Sequence, residues 1–199
     1  MYESARDFFY VGMPYLSGCC EIVNRHNKYD IPVKYESSTF GKTITMEEKL
    51  NFLQHEYISI IRNADSSVTP KWGKMNFQQM LEHVSAFFKV STKKIHFDLV
   101  TPAEHLPKFK EFLMSDKLFR ENTKAPVSII GEEPFPVHYA TVEQAVDNLE
   151  SEVKHFFNYF SQHAGATSVH PVFGELNFEE WVRLHYKHVT HHLRQFGLL

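Results

Sequence analysis

Cysteine is nearly absent from this chain. The only two, Cys19 and Cys20, are adjacent, so no disulfide framework can be drawn. They read as buried thiols acting as small apolar residues, with a vicinal metal or redox site as the alternative. Any block of Lys and Arg is missing too. A net charge of −3 spread over mixed signs offers no match to a phosphate backbone, which removes nucleic acid from the expected partners. No stretch reaches the roughly 18 apolar residues of a membrane span. The apolar run from Phe8 to Val23 lacks a basic leader and is broken by Gly12, Pro14 and Gly18, unlike a signal peptide. With neither disulfides nor a leader, a cytoplasmic location is the expectation. There is no internal repeat and no low-complexity segment.

What the chain does have is aromatic bulk and imidazole. Its 199 residues suffice for one substantial core with an appendage, and 18 Phe suit a thick core filled by few helices. Histidine is abundant at 13, and five of these fall in the last 30 residues.

Residues 1–42 are punctuated by Pro14, Gly18, Pro32 and Gly41 and read as an N-terminal extension that packs on the main body. Its aromatic residues Phe8, Phe9, Tyr10 and Tyr15 are too many to leave exposed. Residues 43–199 form the main domain. Its first helix spans about Met46 to Asn63, capped by Thr45 with Glu48, with an inner stripe of Leu50, Leu53, Tyr57, Ile60 and Ile61. The second spans about Asn76 to Thr92, with Gln79 as capping partner and a stripe from Phe77 to Phe88. Five prolines then break up a long connection to Ala140, in which Lys108 to Ser115 forms a short helix behind Pro107. A third long helix starts at Thr141 and carries Val142, Val146, Leu149, Val153, Phe156 and Phe160 on one face. His170-Pro171-Val172-Phe173-Gly174 reads as the loop into the last helix. Four amphipathic helices, none apolar all round, imply an all-α four-helix bundle with a shared core.

The last helix, Asn177 to about Phe196, is the unusual one. Asn177 and Glu180 form its capping box. Phe178, Trp181, Leu184, His185, His188, His192 and Phe196 lie within an arc of roughly 120° at about 100° per residue. Glu179, Arg183, Lys187, Thr190 and Arg194 take the opposite side, and His191 falls just outside the inward arc. A single histidine on an apolar face is commonly a satisfied core residue. Two of them four apart, His188 and His192, can share one ion. Buried imidazoles without partners cost about 1–3 kcal/mol per unpaired group, a penalty that an ion accepting both lone pairs relieves. A third ligand has to come from elsewhere, and His83, at the edge of the second helix's inner arc, is either that ligand or an ordinary boundary residue. His170 and Glu175 in the loop are candidates for acid–base work, and His185 for lining the cavity. Glu82 is next to His83 in sequence but points about 100° away from it.

Two segments carry a resemblance. Residues 70–83, Pro-Lys-Trp-Gly-Lys-Met-Asn-Phe-Gln-Gln-Met-Leu-Glu-His, resemble the start of the second helix in the DinB/YfiT-like superfamily. His170 to Leu176, then Trp181 and His188 to Gly197, resemble the closing segment of a bacterial subfamily of unassigned function. The resemblance implies a four-helix bundle, often dimeric, with one divalent ion held by three histidines. By position these are His83, His188 and His192, and zinc, nickel or iron would be the ion. It also implies small-molecule chemistry, including transferases and isomerases that use low-molecular-weight thiols. Many relatives carry Arg-Gly-Gln after the last ligand, where this chain has Leu193-Arg194-Gln195. Two functional classes follow: a metal-dependent enzyme of transferase or hydrolase type, or a non-catalytic bundle in which the ion only staples helices. An open coordination position marks the first and an occluded ion the second.

Overall fold

Each of the four long helices begins at a polar side chain that satisfies its first backbone N–H groups. Thr45, Asn76 and Asn177 accept from the N–H groups of Glu48, Gln79 and Glu180, whose side chains reach back to the cap's own N–H. Thr141 accepts from Gln144 in the same way, but Gln144 Oε1 turns to the N–H of Ala140, at 3.1 Å. The computed structural model describes residues 43–123 and 133–199. The expected extension over residues 1–42, with its aromatic residues and the two cysteines, lies outside the described residues.

Helix α1 comprises Met46–Asn51, a wider π-helical turn Phe52–Glu56, and Tyr57–Arg62. Helix α2 is Phe77–Ser91. The short α3, Leu106–Met114, follows a 3-10 turn at Ala103–His105 and has Pro107 in its first turn, where the missing N–H costs nothing. Helix α4 is Val142–Gln162 and α5 is Phe178–Gln195. The long helices share one core, and Leu53, Tyr57, Leu81, Val84, Leu149, Val153, Phe156, Trp181 and Leu184 are all buried in it, as their stripes predict. Among the described residues no helix is long and apolar enough to cross a membrane.

Three features depart from the sequence reading. The first is a small antiparallel hairpin, β1 (Ser168–His170) and β2 (Gly174–Leu176), so the described fold is mostly helical rather than all-α. Strands of three residues are too short to show an alternation in sequence. A side chain holds their turn together, as the N–H groups of Val172 and Phe173 donate to His170 Nδ1 at 2.9 and 3.1 Å. The second is the π turn in α1. The buried residues Leu53, Tyr57 and Ile61 are spaced strictly by four. That spacing drifts by ~40° per step on an ordinary helix, and the wider turn takes up part of the drift.

The third departure is the outer side of α5. Seven consecutive residues, Lys187 to Leu193, are buried, including Lys187, Thr190 and His191, which the helix projection assigns outside the core. The connection after α2 covers this side, with Phe112, Phe119 and the backbone of residues 115–117 lying against it. Lys187 survives there because its ammonium donates to the carbonyls of Ser115 and Lys117 and sits 4.8 Å from the Phe112 ring centroid. Desolvation lowers its pKa to about 8, opposed by Asp116 and aided by Lys49 and Arg183.

Candidate metal centre

Helices α2 and α5 bring three imidazoles to one point. His188 Nε2 lies 3.0 Å from His83 Nε2 and 3.0 Å from His192 Nε2. His83 stands on α2 with its ring centroid 4.9 Å from those of both His188 and His192. One ligand atom from each of the three residues lies within 4.8 Å of the others. His188 and His192 are buried, and His83 is half-buried. The ring of His188 stacks on Phe87, 4.1 Å between centroids, which seals one face of the cluster with hydrocarbon.

The hydrogen-bond network assigns one tautomer. The carbonyl of Trp72 can only accept, so the Gln195 amide turns its Nε2 toward it, at 2.7 Å. Gln195 Oε1 therefore faces His192 Nδ1 at 2.8 Å and accepts a hydrogen bond from its N–H. His192 is left with a bare lone pair on Nε2, pointing at His188 and His83. His188 Nδ1, in contrast, is buried without a partner. Neutral rings are what such a place permits. Burial, then the neighbouring His191, pushes His83 down to about 4. Burial holds His192 and His188 well below the usual histidine value, reinforced by their histidine neighbours.

These donors fit a divalent ion. Neutral imidazole nitrogens are borderline ligands suited to first-row metals. Tetrahedral ligands at about 2.0–2.1 Å from an ion lie about 3.3 Å apart, so the 3.0 Å spacings need to open by only a few tenths of an ångström. Among the described residues the cluster holds three histidines and no carboxylate.

The other candidates are placed elsewhere. His185 is fully buried in an aromatic box, stacked 3.8 Å from Phe88 and bordered by Phe87, Phe156 and Trp181. Ser91 Oγ gives its proton to the carbonyl of Phe88, so it accepts from His185 Nε2–H at 3.0 Å, and His185 Nδ1 is left buried without a partner. Burial first, then His170, keeps His185 neutral. His170 is buried behind its own turn, with burial lowering its pKa to about 3. Glu175 points outward from β2 and accepts from Thr167 Oγ1 at 2.5 Å. Glu82 accepts from the backbone N–H groups of His138 and Tyr139, at 2.7 and 3.2 Å, and so ties the segment before α4 to α2. His191 is buried between Trp72, Phe119 and His192, with its pKa lowered to about 4 chiefly by burial.

Residues 54–197 match the family DUF1569, described as a protein of unknown function. The chain belongs to the DUF1569 family. The DUF1569 match begins inside α1 and ends just past α5, so it takes in every element that supplies a histidine to the cluster. No curated protein and no solved structure matches the chain. The residue that the sequence reading missed is Gln195. It stands three positions after His192, close enough on one helix face to reach back to it, and that spacing was the available signal.

Proposed function

We propose that this DUF1569 protein is a DinB-like four-helix-bundle metalloenzyme, in which His83, His188 and His192 hold one divalent ion, zinc, nickel or iron, and act on a small molecule. The observation that carries the reading is the convergence of three neutral imidazoles on one point, at 3.0 Å from His188 Nε2 to each of the other two. A divalent ion held there supplies Lewis acidity in a site whose walls are largely apolar. Burial keeps the three rings neutral at pH 7, so each has one lone pair to offer an ion, and the bond to Gln195 puts that of His192 on Nε2. Phe87 excludes water from one side, and half-buried His83 marks the side from which a substrate approaches. A low-molecular-weight thiol as co-substrate and a homodimeric state belong to the same proposal. The resemblance of residues 70–83 and 170–197 supports both.

Near-complete enclosure of two ligands, His188 at 7% and His192 at 5% exposure, favours a second reading, an ion that only staples α2 to α5. Protein purified without an affinity tag and analysed for metal tests the site, with about one equivalent per chain expected. Cobalt-loaded protein then separates the readings. A visible spectrum that shifts when azide or a small thiol is added shows an accessible position. A spectrum that does not respond overturns the enzyme reading in favour of the staple.

A further inference from the structure

The turn between α1 and α2 contains the motif Pro70-Lys71-Trp72-Gly73. It packs on the end of α5, and its polar contacts converge on one residue. The N–H of Lys71 donates to the carbonyl of Gln195 at 2.7 Å. The carbonyl of Trp72 accepts from Gln195 Nε2, also at 2.7 Å. Gly73 has a φ of +83°, and a Cβ built there would lie 2.6 Å from Gln195 Nε2, so only glycine leaves room for the amide. Backbone and side chain of Gln195 are thus both held by the same three residues.

We propose that Gln195 is a positioning residue. Clamped by the 71–73 turn, it fixes His192 as the Nδ1–H tautomer and so aims the Nε2 lone pair at His83 and His188. The inference rests on the metal reading only for what that lone pair binds. His188 has no comparable partner, since its Nδ1 is buried and unpaired. Of the two ligands on α5, the orientation of His192 is therefore the one written into the chain by a hydrogen bond. Outer partners of this kind alter metal affinity by about 10–100-fold when removed.

The test uses the full chain and three variants. Gln195→Met keeps the length of the side chain and removes both hydrogen bonds. Gln195→Glu keeps an acceptor for Nδ1–H. Gly73→Ala displaces the amide without a substitution on α5. Long-range 15N–1H spectra of metal-free protein report the tautomer of His192, and zinc titration reports affinity. Wild type and Gln195→Glu should show the Nδ1–H pattern. Gln195→Met and Gly73→Ala should lose it and bind zinc about 10–100-fold more weakly, with unchanged helical circular dichroism. An Nδ1–H pattern that survives in Gln195→Met overturns the assignment, and so does a lost pattern with wild-type affinity. If the wild type binds no more zinc than His188→Ala, the metal reading fails instead, and the spectra alone still decide what Gln195 does.

Discussion

Substituting His188 by Ala separates a metal site from a mere cluster of buried rings, because only in a metal site does the change abolish a stability increment on adding metal. In the metal-free protein the change deletes a ring stacked 4.1 Å from Phe87, and truncating a buried aromatic side chain costs about 3–5 kcal/mol at most. It also removes an unpaired buried nitrogen, which returns about 1–3 kcal/mol. The net loss should be about 0–4 kcal/mol. Metal adds a second term. An ion present at about 100 times its dissociation constant stabilises the folded chain by ~2.7 kcal/mol. For a domain of 150–250 residues that raises the melting temperature by roughly 5–11 °C. The wild type should therefore show this increment on adding zinc or cobalt, and His188→Ala should show almost none. His191→Ala should keep it, because that ring packs against Trp72 and Phe119 and is not one of the three that converge. Differential scanning calorimetry with and without metal, backed by elemental analysis, gives the comparison. If His188→Ala keeps the increment while His191→Ala loses it, the register assigned to α5 as the source of the ligands is wrong.

Acid should destabilise the metal-free protein early. Five buried histidines, 170, 185, 188, 191 and 192, and the half-buried His83 are held neutral when folded, so the unfolded chain binds more protons below about pH 6.5. Stability is fully present above that pH and falls as the pH drops toward 4; urea midpoints should give a slope above one proton, about 1.4 kcal/mol per pH unit. A slope below one proton would contradict the burial argument. His185→Phe should retain metal and most of its stability, because Ser91 Oγ keeps its bond to the carbonyl of Phe88, and a metal-depleted variant would place His185 in the site after all. Lys187→Met should lower stability by about 1–3 kcal/mol by stranding two carbonyls, with metal uptake unchanged, as read by chemical denaturation and elemental analysis.

Much of this was legible in the residues alone. Three of the four helix starts carry reciprocal capping pairs and the fourth a one-way cap, and such pairs are local in sequence and so survive translation into structure. His188 and His192 are four apart on one helix, and only His83 needed tertiary placement. What the sequence hid depends on long-range packing or on very short elements. The hairpin has three-residue strands whose turn is organised by His170, a residue that draws attention as a candidate acid or base and turns out to accept two backbone N–H groups. Burial of Lys187 and His191 depends on where the connection after α2 lies, and no periodicity within α5 can report that. Gln195 was passed over because a glutamine near a helix end looks like solvent-facing surface until the carbonyl of Trp72 is seen opposite it.

The enclosure of α5 bears on how this chain can change over time. An ordinary amphipathic helix has an outer face where substitutions are absorbed, so its neutral positions recur every three or four residues. From Lys187 to Leu193 there is no such face. Histidines fill one side, and the other is locked under the connection by a lysine that feeds two carbonyls. A residue inserted or deleted here cannot be taken up by rotating the helix, since any rotation that spares one side ruins the other. Drift in this part of the protein should be confined to paired replacements, one on α5 and one on whatever covers it, while α1 and α4 vary freely on their solvent sides.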